Sequence, residues 1–307
     1  MFLDCITEWI SSRRFKPVPI RLDSGVPASY PIPLEMGQVL LHSHYQMLQD
    51  EDRVAHFRRA IEDLITSDDI VLDIGTGSGI LALLAAERAR KVYAVEVDPA
   101  IAGFAARAFD ASPNREKLTL FLGDAAYLRL PERVDVITCE LLDTVLLNEP
   151  QVEILRLAGS RLLKPDGRFI PAYARNFVAL ANCSFRFYER IDLRVAHWEP
   201  TDLPSARELT PWAEYCRLTF GPDAPEGVDA QVVLRANHRG TATAVKLMTV
   251  TGFGNGDEVG PCLTMNRPLV IPIPEKLDIV PDAAYRVRLS YRFGERYQNV
   301  RCSAARL

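Results

Sequence analysis

The sequence lacks any stretch approaching the roughly 20 consecutive apolar residues that cross a bilayer as a helix, so no membrane partner is expected. It lacks a basic excess: 36 Lys and Arg stand against 40 Asp and Glu, for a formal net charge of −4. A dedicated nucleic-acid binder normally carries a basic domain, so nucleic acid is not an expected partner either. A mildly acidic chain can still focus negative field in one cleft and take a cationic substrate. None of its six cysteines (Cys5, Cys139, Cys183, Cys216, Cys262, Cys302) stands in a Cys-x-x-Cys pair or near a histidine at ligand spacing. That argues against a zinc site and against a disulfide framework, and the cysteines read as reduced thiols of an intracellular protein. There are no internal repeats. The opening MFLDCITEWISSRR has no basic n-region and carries acids within its apolar stretch, so it does not read as a secretory signal. A cytoplasmic protein with no metal requirement is the expectation.

What is present begins with length. A chain of 307 residues exceeds the size at which single cores usually stop growing, so two packed units are expected. Residues 1–36 read as a short amphipathic helix near Phe2–Ile10 and a loop rich in proline, which cannot continue a helix. From Gly37 to Ile65, apolar residues recur near every 3.6 positions, a helical pattern that Asp50 or Asp52 can restart.

The texture then changes. Ile70-Val-Leu-Asp-Ile74 is a short buried strand running into glycines, and Ile80–Arg90 is a helix. Val92–Glu96 and Pro99–Phe109 repeat the strand–helix unit. Leu118–Leu122 and Val134–Cys139 read as further strands, and Gln151–Leu163 as a helix stopped by Lys164-Pro-Asp-Gly167. Strands alternating with helices at this spacing build a parallel sheet, so the fold class is α/β with a Rossmann-like domain over 37–170. After Pro171 the runs alternate or are β-branched, apart from a helical piece expected near 184–195. Residues 171–307 therefore read as a mostly antiparallel β-barrel domain.

The candidate chemistry sits at strand ends. Asp73-Ile-Gly75-Thr-Gly77-Ser-Gly79 hands a strand to a helix, and its glycines permit tight turning and close ligand approach. The position where a dinucleotide fingerprint wants Gly or Ala is Ile80. The preceding Asp73 suits a ligand that carries an ammonium. Glu96 ends the next strand about 20 residues on, where a carboxylate accepts from ribose hydroxyls, and Asp124 follows the third strand, where it can accept from an adenine amino group. In order on successive strand ends, these point to S-adenosyl-L-methionine as cofactor, with S-adenosyl-L-homocysteine as product. Glu140 ends the fourth strand and Glu149 follows nine residues later. Two facing carboxylates repel unless bound to a cation, and a planar guanidinium with five donors is a fitting guest.

On VLDIGTGSG, VEVDP, the Glu140/Glu149 pair and LLKPDGRFIP, the chain from about His42 onward resembles the protein arginine methyltransferases. The resemblance implies the same two-domain order, an arginine or arginine-containing substrate, and a homodimer as the candidate assembly. It also implies that Arg53 pairs with the methionine carboxylate of the cofactor and that Met47 lines the pocket around the methyl.

Three departures bear on the acceptor. Thr264-Met265-Asn266 stands where the family has Thr-His-Trp, so the His that would pair with Asp50 and the Trp that frames the substrate are absent. The segment 182–211 is shorter than the family's dimerisation arm. Leu34 and Gln38 stand where tyrosines are expected. These departures favour free arginine, or an arginine-like metabolite, over a protein substrate, with an unrelated small-molecule acceptor as the further alternative. Arg13, Arg14, Lys16 and Arg267 are candidate partners for its α-groups.

Overall fold

A computed structural model describes residues 18–20, 34–199, 206–262 and 264–307, with side chains described from residue 41 onward. The expected N-terminal helix, the proline loop, Cys5, the three basic residues before Pro17 and the side chains of Leu34 and Gln38 lie outside the described residues. The chain divides into two compact units. The first comprises the chain up to Glu140, Ile154–Ala172 and Phe253–Asp257; the second comprises Leu141–Glu153, Tyr173–Gly252 and Glu258–Leu307.

The first unit is built on six strands: β1 (Val18–Ile20), β2 (Ile70–Ile74), β3 (Lys91–Glu96), β4 (Leu118–Leu122), β5 (Val134–Cys139) and β6 (Leu163–Ile170). Their order across the sheet is β1-β4-β3-β2-β5-β6. All neighbours run parallel except β1, which pairs antiparallel with β4. Every residue of β2 is buried, as expected of a strand covered on both faces. The order runs outward from β2 through β3 and β4, then returns to β5 on the other side of β2. Such a reversal opens a crevice beyond the carboxyl ends of β2 and β5, where open α/β sheets bind ligands.

Five helices accompany this sheet in the chain: α1 (Leu34–Gln49), α2 (Glu51–Leu64), α3 (Ile80–Arg88), α4 (Pro99–Asp110) and α5 (Gln151–Leu162). The expected restart between α1 and α2 falls at Asp50, whose side chain accepts from the Arg53 backbone N–H at 3.2 Å. Glu51 and Asp52 in the first turn add negative charge at the positive end of the helix dipole. Arg53, Phe57, Ala60 and Ile61 form the buried stripe of α2, and Phe57 meets Phe253 edge-on. Asp98 caps α4 by accepting from the amides of Ala100 and Ile101, with Pro99 at the first helical position.

The second unit is antiparallel. Its strands are β7 (Tyr173–Cys183), β8 (Arg186–Phe187), β9 (Ile191–Asp192), β10 (His197–Trp198), β11 (Ala206–Glu208), β12 (Ala213–Thr219), β13 (Gly227–Arg235), β14 (Gly240–Gly252), β15 (Glu258–Val259), β16 (Leu269–Ile279), β17 (Ala284–Arg292) and β18 (Arg301–Arg306). They form a seven-stranded sheet around β16-β14-β7, a three-stranded sheet β13-β17-β18 and the hairpin β8-β9. The two larger sheets bury one shared core, in which Val178, Leu180, Val245 and Leu269 of the first meet Leu234, Tyr285 and Val287 of the second.

The helical piece expected near 184–195 is instead the hairpin β8-β9. Its turn residues Tyr188 and Glu189 both take positive φ, 52° and 58°. Hairpin turns with two such residues usually announce themselves with Asn or Gly. Tyr-Glu carries no such signal, which is why the sequence pattern misleads here.

Candidate active site

The glycine loop takes its shape from β2 and β3. The amides of Gly75 and Thr76 both donate to the Val95 carbonyl, each at 3.0 Å, and the amide of Gly79 donates to the Thr76 carbonyl at 2.8 Å. Two of its glycines are required by space as well as by backbone angle. Gly77 has φ +56°, and a Cβ there would meet His44 Cε1 at 2.8 Å; Gly79 has φ +89°, and a Cβ would meet Phe109 Cε1 at 2.7 Å. Left-handed φ is costly for residues with a Cβ.

Asp73 lies beneath this loop, 1% exposed. It accepts from the hydroxyls of Thr76 and Thr138, each at 2.6 Å. Burial pushes its carboxyl up to about 6 despite these two donors. A buried carboxylate with both oxygens already bonded is held ready for a cation, since a nearby positive charge would offset its desolvation.

Glu96 is buried at the end of β3. Its Oε1 accepts from the amides of Val97 and Asp98, and its Oε2 accepts from the amide of Gly77 at 2.9 Å. Burial raises its pKa, while the three amides favour the charged form. A carboxylate has about four acceptor sites, so three amide bonds leave capacity for one hydroxyl donor. The Glu96 carbonyl in turn accepts from the Gly123 amide at 2.8 Å, which seats Asp124. The Asp124 side chain accepts from the Ala126 amide at 2.8 Å and caps a short turn of helix.

The register places Glu140 on the same edge as Gly75. Asp73 and Ile74 of β2 pair with Thr138 and Cys139 of β5, so each strand delivers its next residue to the crevice. The partner of Glu140 comes from α2: Arg53 Nη1 donates to Glu140 Oε2 at 2.5 Å. Arg53 Nη2 donates to the Met47 carbonyl at 2.9 Å. Arg53 is buried, and its Nε has no hydrogen-bond partner. A buried guanidinium with an orphaned donor is chemically suited to an anionic group. His44 on α1 packs against Gly77 as described, and its pKa is lowered by burial first, with Asp98 opposing and Arg53 assisting.

The first unit thus brings together Met47, Arg53, Asp73, the three glycines, Glu96, Asp124 and Glu140. Sequence reasoning missed Thr138, which bonds Asp73 from the neighbouring strand and leaves no local signal. Thr76, three residues after Asp73, is readable as a local side-chain turn.

Glu149 belongs to the second unit, in the loop 141–149. It keeps solvent-accessible surface, yet desolvation raises its carboxyl pKa. Val145 and Leu146 in this loop are buried and take positive φ, 53° and 62°. Left-handed backbone at a β-branched residue is a true outlier. Thr249 Oγ1 accepts from the Val145 amide at 2.7 Å, and the Thr144 hydroxyl donates to the Arg267 carbonyl. The Gly294 and Arg296 amides donate to the carbonyls of Leu146 and Leu147, at 3.0 and 2.7 Å.

In the segment that replaces the expected Thr-His-Trp, Met265 and Asn266 are buried. Asn266 Nδ2 donates to the Thr249 carbonyl at 3.0 Å, and its Oδ1 accepts from the Cys262 amide at 2.9 Å. Among the described residues, no cluster of His, Cys, Asp and Glu is arranged to hold a metal ion.

A methyltransferase domain family matches residues 71–167. An uncharacterised protein of Methanocaldococcus jannaschii is 32% identical over 84% of this chain and 95% of its own length. A probable histone-arginine methyltransferase of Oryza sativa, CARM1, is 30% identical over 59% of this chain, which spans 36% of that longer protein. The Trypanosoma brucei PRMT1 enzyme-prozyme complex with AdoHcy shares the fold at a TM-score of 0.69 and 22% identity, covering 80% of this chain and 86% of that one. Arabidopsis thaliana protein arginine methyltransferase 10 does so at 0.67 and 20% identity, with the same coverage.

Proposed function

Because this chain belongs to the protein arginine methyltransferase family of class I S-adenosylmethionine-dependent methyltransferases, we propose that it methylates a guanidinium nitrogen of free L-arginine or an arginine-like metabolite. The observation that carries the reading is the buried Arg53–Glu140 pair at the switch point of the sheet. A guanidinium beside a buried carboxylate offsets part of the cost of taking it out of water. An ionised carboxylate has about four acceptor sites, so pairing with Arg53 is compatible with a second guanidinium.

The cofactor fits the first unit residue by residue. Asp73 answers its ammonium and the donor set of Arg53 its carboxylate. The remaining acceptor site of Glu96 suits a ribose hydroxyl, Asp124 an adenine amino group, and Met47 the surroundings of the methyl. When bound, S-adenosylmethionine supplies a sulfonium methyl that is already electrophilic and leaves as S-adenosyl-L-homocysteine.

The protein's task is then positioning. Arginine is protonated at neutral pH, and its lone pairs are delocalised. Glu140 and Glu149 are assigned to bind the guanidinium and draw its positive charge away from the attacking nitrogen. As the N–C bond forms and the S–C bond breaks, that nitrogen releases a proton to one of the two glutamates or to water, leaving a methylguanidinium cation. In-line positioning of two reactants can lower a barrier by several kcal/mol.

The choice of a small acceptor rests on Asn266, whose side chain is committed to the Cys262 amide and to the Thr249 carbonyl of β14. Arginine within a protein is the second reading, favoured by the histone-arginine methyltransferases among the relatives. The same reading carries a homodimer, and Phe187, Tyr188 and Ile191, exposed on the β8-β9 hairpin, offer apolar surface for it. The test is mass spectrometry of the enzyme with cofactor and, separately, free L-arginine or an arginine-glycine-rich peptide. Methyl gain on free arginine alone supports the proposal. Gain on the peptide alone replaces it with the second reading, and silence in both removes the arginine assignment.

A further inference from the structure

The loop that carries Glu149 contains a carboxylate that the mechanism above does not use. Asp143 is buried, and its Oδ2 accepts from the Asn148 backbone amide at 2.9 Å and from Asn148 Nδ2 at 2.5 Å. Its Oδ1 is buried with no hydrogen-bond partner. The Asp143 carbonyl accepts from the Leu146 amide at 3.1 Å. Asn148 passes the connection on, because its Oδ1 accepts from the Tyr297 amide at 3.3 Å. The side chains of Asp143 and Asn148 therefore close a ring across residues 143–148, and the residue after that ring is Glu149.

The ring spans the two residues that need holding. Val145 and Leu146 sit in left-handed backbone, a conformation that persists only where its surroundings over-determine it. Thr249, Gly294 and Arg296 grip the loop at Val145, Leu146 and Leu147. The Asp143–Asn148–Tyr297 connection extends this grip to Asn148, the residue before Glu149. Burying a carboxylate for a purely architectural purpose is expensive, since a neutral acceptor makes the same two bonds without that cost. Desolvation pushes the Asp143 carboxyl up to about 7, with the amides of Asn148 and Glu149 favouring the charged form and the Glu149 charge opposing it.

We propose that Asp143 and Asn148 are positioning residues for Glu149, fixing the direction in which its carboxylate meets the substrate guanidinium. The proposal rests on the assignment of Glu149 to guanidinium binding.

The test compares wild type, Asp143→Ala, Asn148→Asp and the swap Asp143→Asn/Asn148→Asp by steady-state methylation of the acceptor that wild type accepts. It is read together with cofactor affinity, melting temperature and hydrogen exchange of the 141–149 segment. A displacement of about 1 Å in a positioned group can lower turnover on the order of 100-fold, and that is the expected fall in kcat for Asp143→Ala. Exchange in 144–149 should rise while cofactor affinity and melting temperature stay near wild type. Asn148→Asp sets two carboxylates against each other and should fall at least as far. The swap restores a donor–acceptor pair with the carboxylate moved to position 148, and should recover most of the loss. A purely architectural role would lower melting temperature and cofactor affinity along with kcat, and that pattern overturns the proposal. So does an Asp143→Ala enzyme that turns over normally while wild type methylates arginine. A wild type silent on every arginine acceptor removes the guanidinium assignment itself, and the proposal falls with it.

Discussion

Replacing Arg53 by Met asks how strongly the Arg53–Glu140 pair holds the first unit together. The two charged atoms stand 2.5 Å apart with side-chain exposures of 6% and 12%, so solvent screens them little. At an effective dielectric near 20, a pair at such range gains roughly 4 kcal/mol or more of Coulomb energy, offset by the cost of taking both charges out of water. The net value of the pair is therefore small compared with the cost of breaking it. Removing one partner leaves a buried charge alone, at about 3–5 kcal/mol. Arg53→Met should lower the melting temperature by on the order of 10 °C, given roughly 2–4 °C per kcal/mol for a domain of this size. Glu140→Gln keeps an acceptor for Arg53 and should cost less, about 1–3 kcal/mol. The double variant carries neither charge, so it should be more stable than the sum of the single losses predicts, by about 2 kcal/mol. Urea unfolding of the four proteins without cofactor measures this coupling, and cofactor titration by calorimetry runs alongside. Arg53→Met should also weaken cofactor binding at least tenfold, about 1.4 kcal/mol. Additive losses, with a coupling under about 0.5 kcal/mol, would refute the reasoning that these charges are mutually dependent.

Gly77→Ala should weaken cofactor binding and cost about 1–2 kcal/mol of stability, because φ is +56° and the new Cβ meets His44 at 2.8 Å; calorimetric titration and thermal melting check both. Glu149→Gln should lower kcat by at least about 100-fold, in the range seen when a charge-stabilising group is removed, with cofactor affinity unchanged, as read by steady-state kinetics beside a binding titration. Stability should fall as pH rises from about 4 to 7. Asp73 and Asp143 have folded pKa values of about 6 and about 7 against an ordinary 3.8, so across that window the folded chain binds more protons than the unfolded one. Asp143→Asn should flatten the upper part of that fall by a few kcal/mol at most, at about 1.4 kcal/mol per pKa unit; urea unfolding at pH 5 and 8 tests it, and a difference between the variant and wild type that does not grow with pH would overturn it.

Most of the local architecture was legible from neighbours along the chain. The β2–glycine loop–α3 unit, the carboxylate ending β3, the Asp50 cap and the helix stopped before Gly167 all follow from local spacing, capping and turn chemistry, and the structure places each within a residue or two. The antiparallel character of the second unit was legible for the same reason, since alternation has a period of two wherever one face is buried. Relations between residues far apart in sequence came from the packing of the whole chain. Thr138 bonds Asp73 across 65 positions, and Arg53 reaches Glu140 across 87. Neither spacing carries a signal, because strand order and helix packing set those distances. The tie between Asp143 and Asn148 is only five residues long, yet it too was illegible. It depends on a left-handed turn at Val145 and Leu146, which no local preference favours and which is held in place by Thr249, Gly294 and Arg296 from strands and loops more than 100 residues further along the chain.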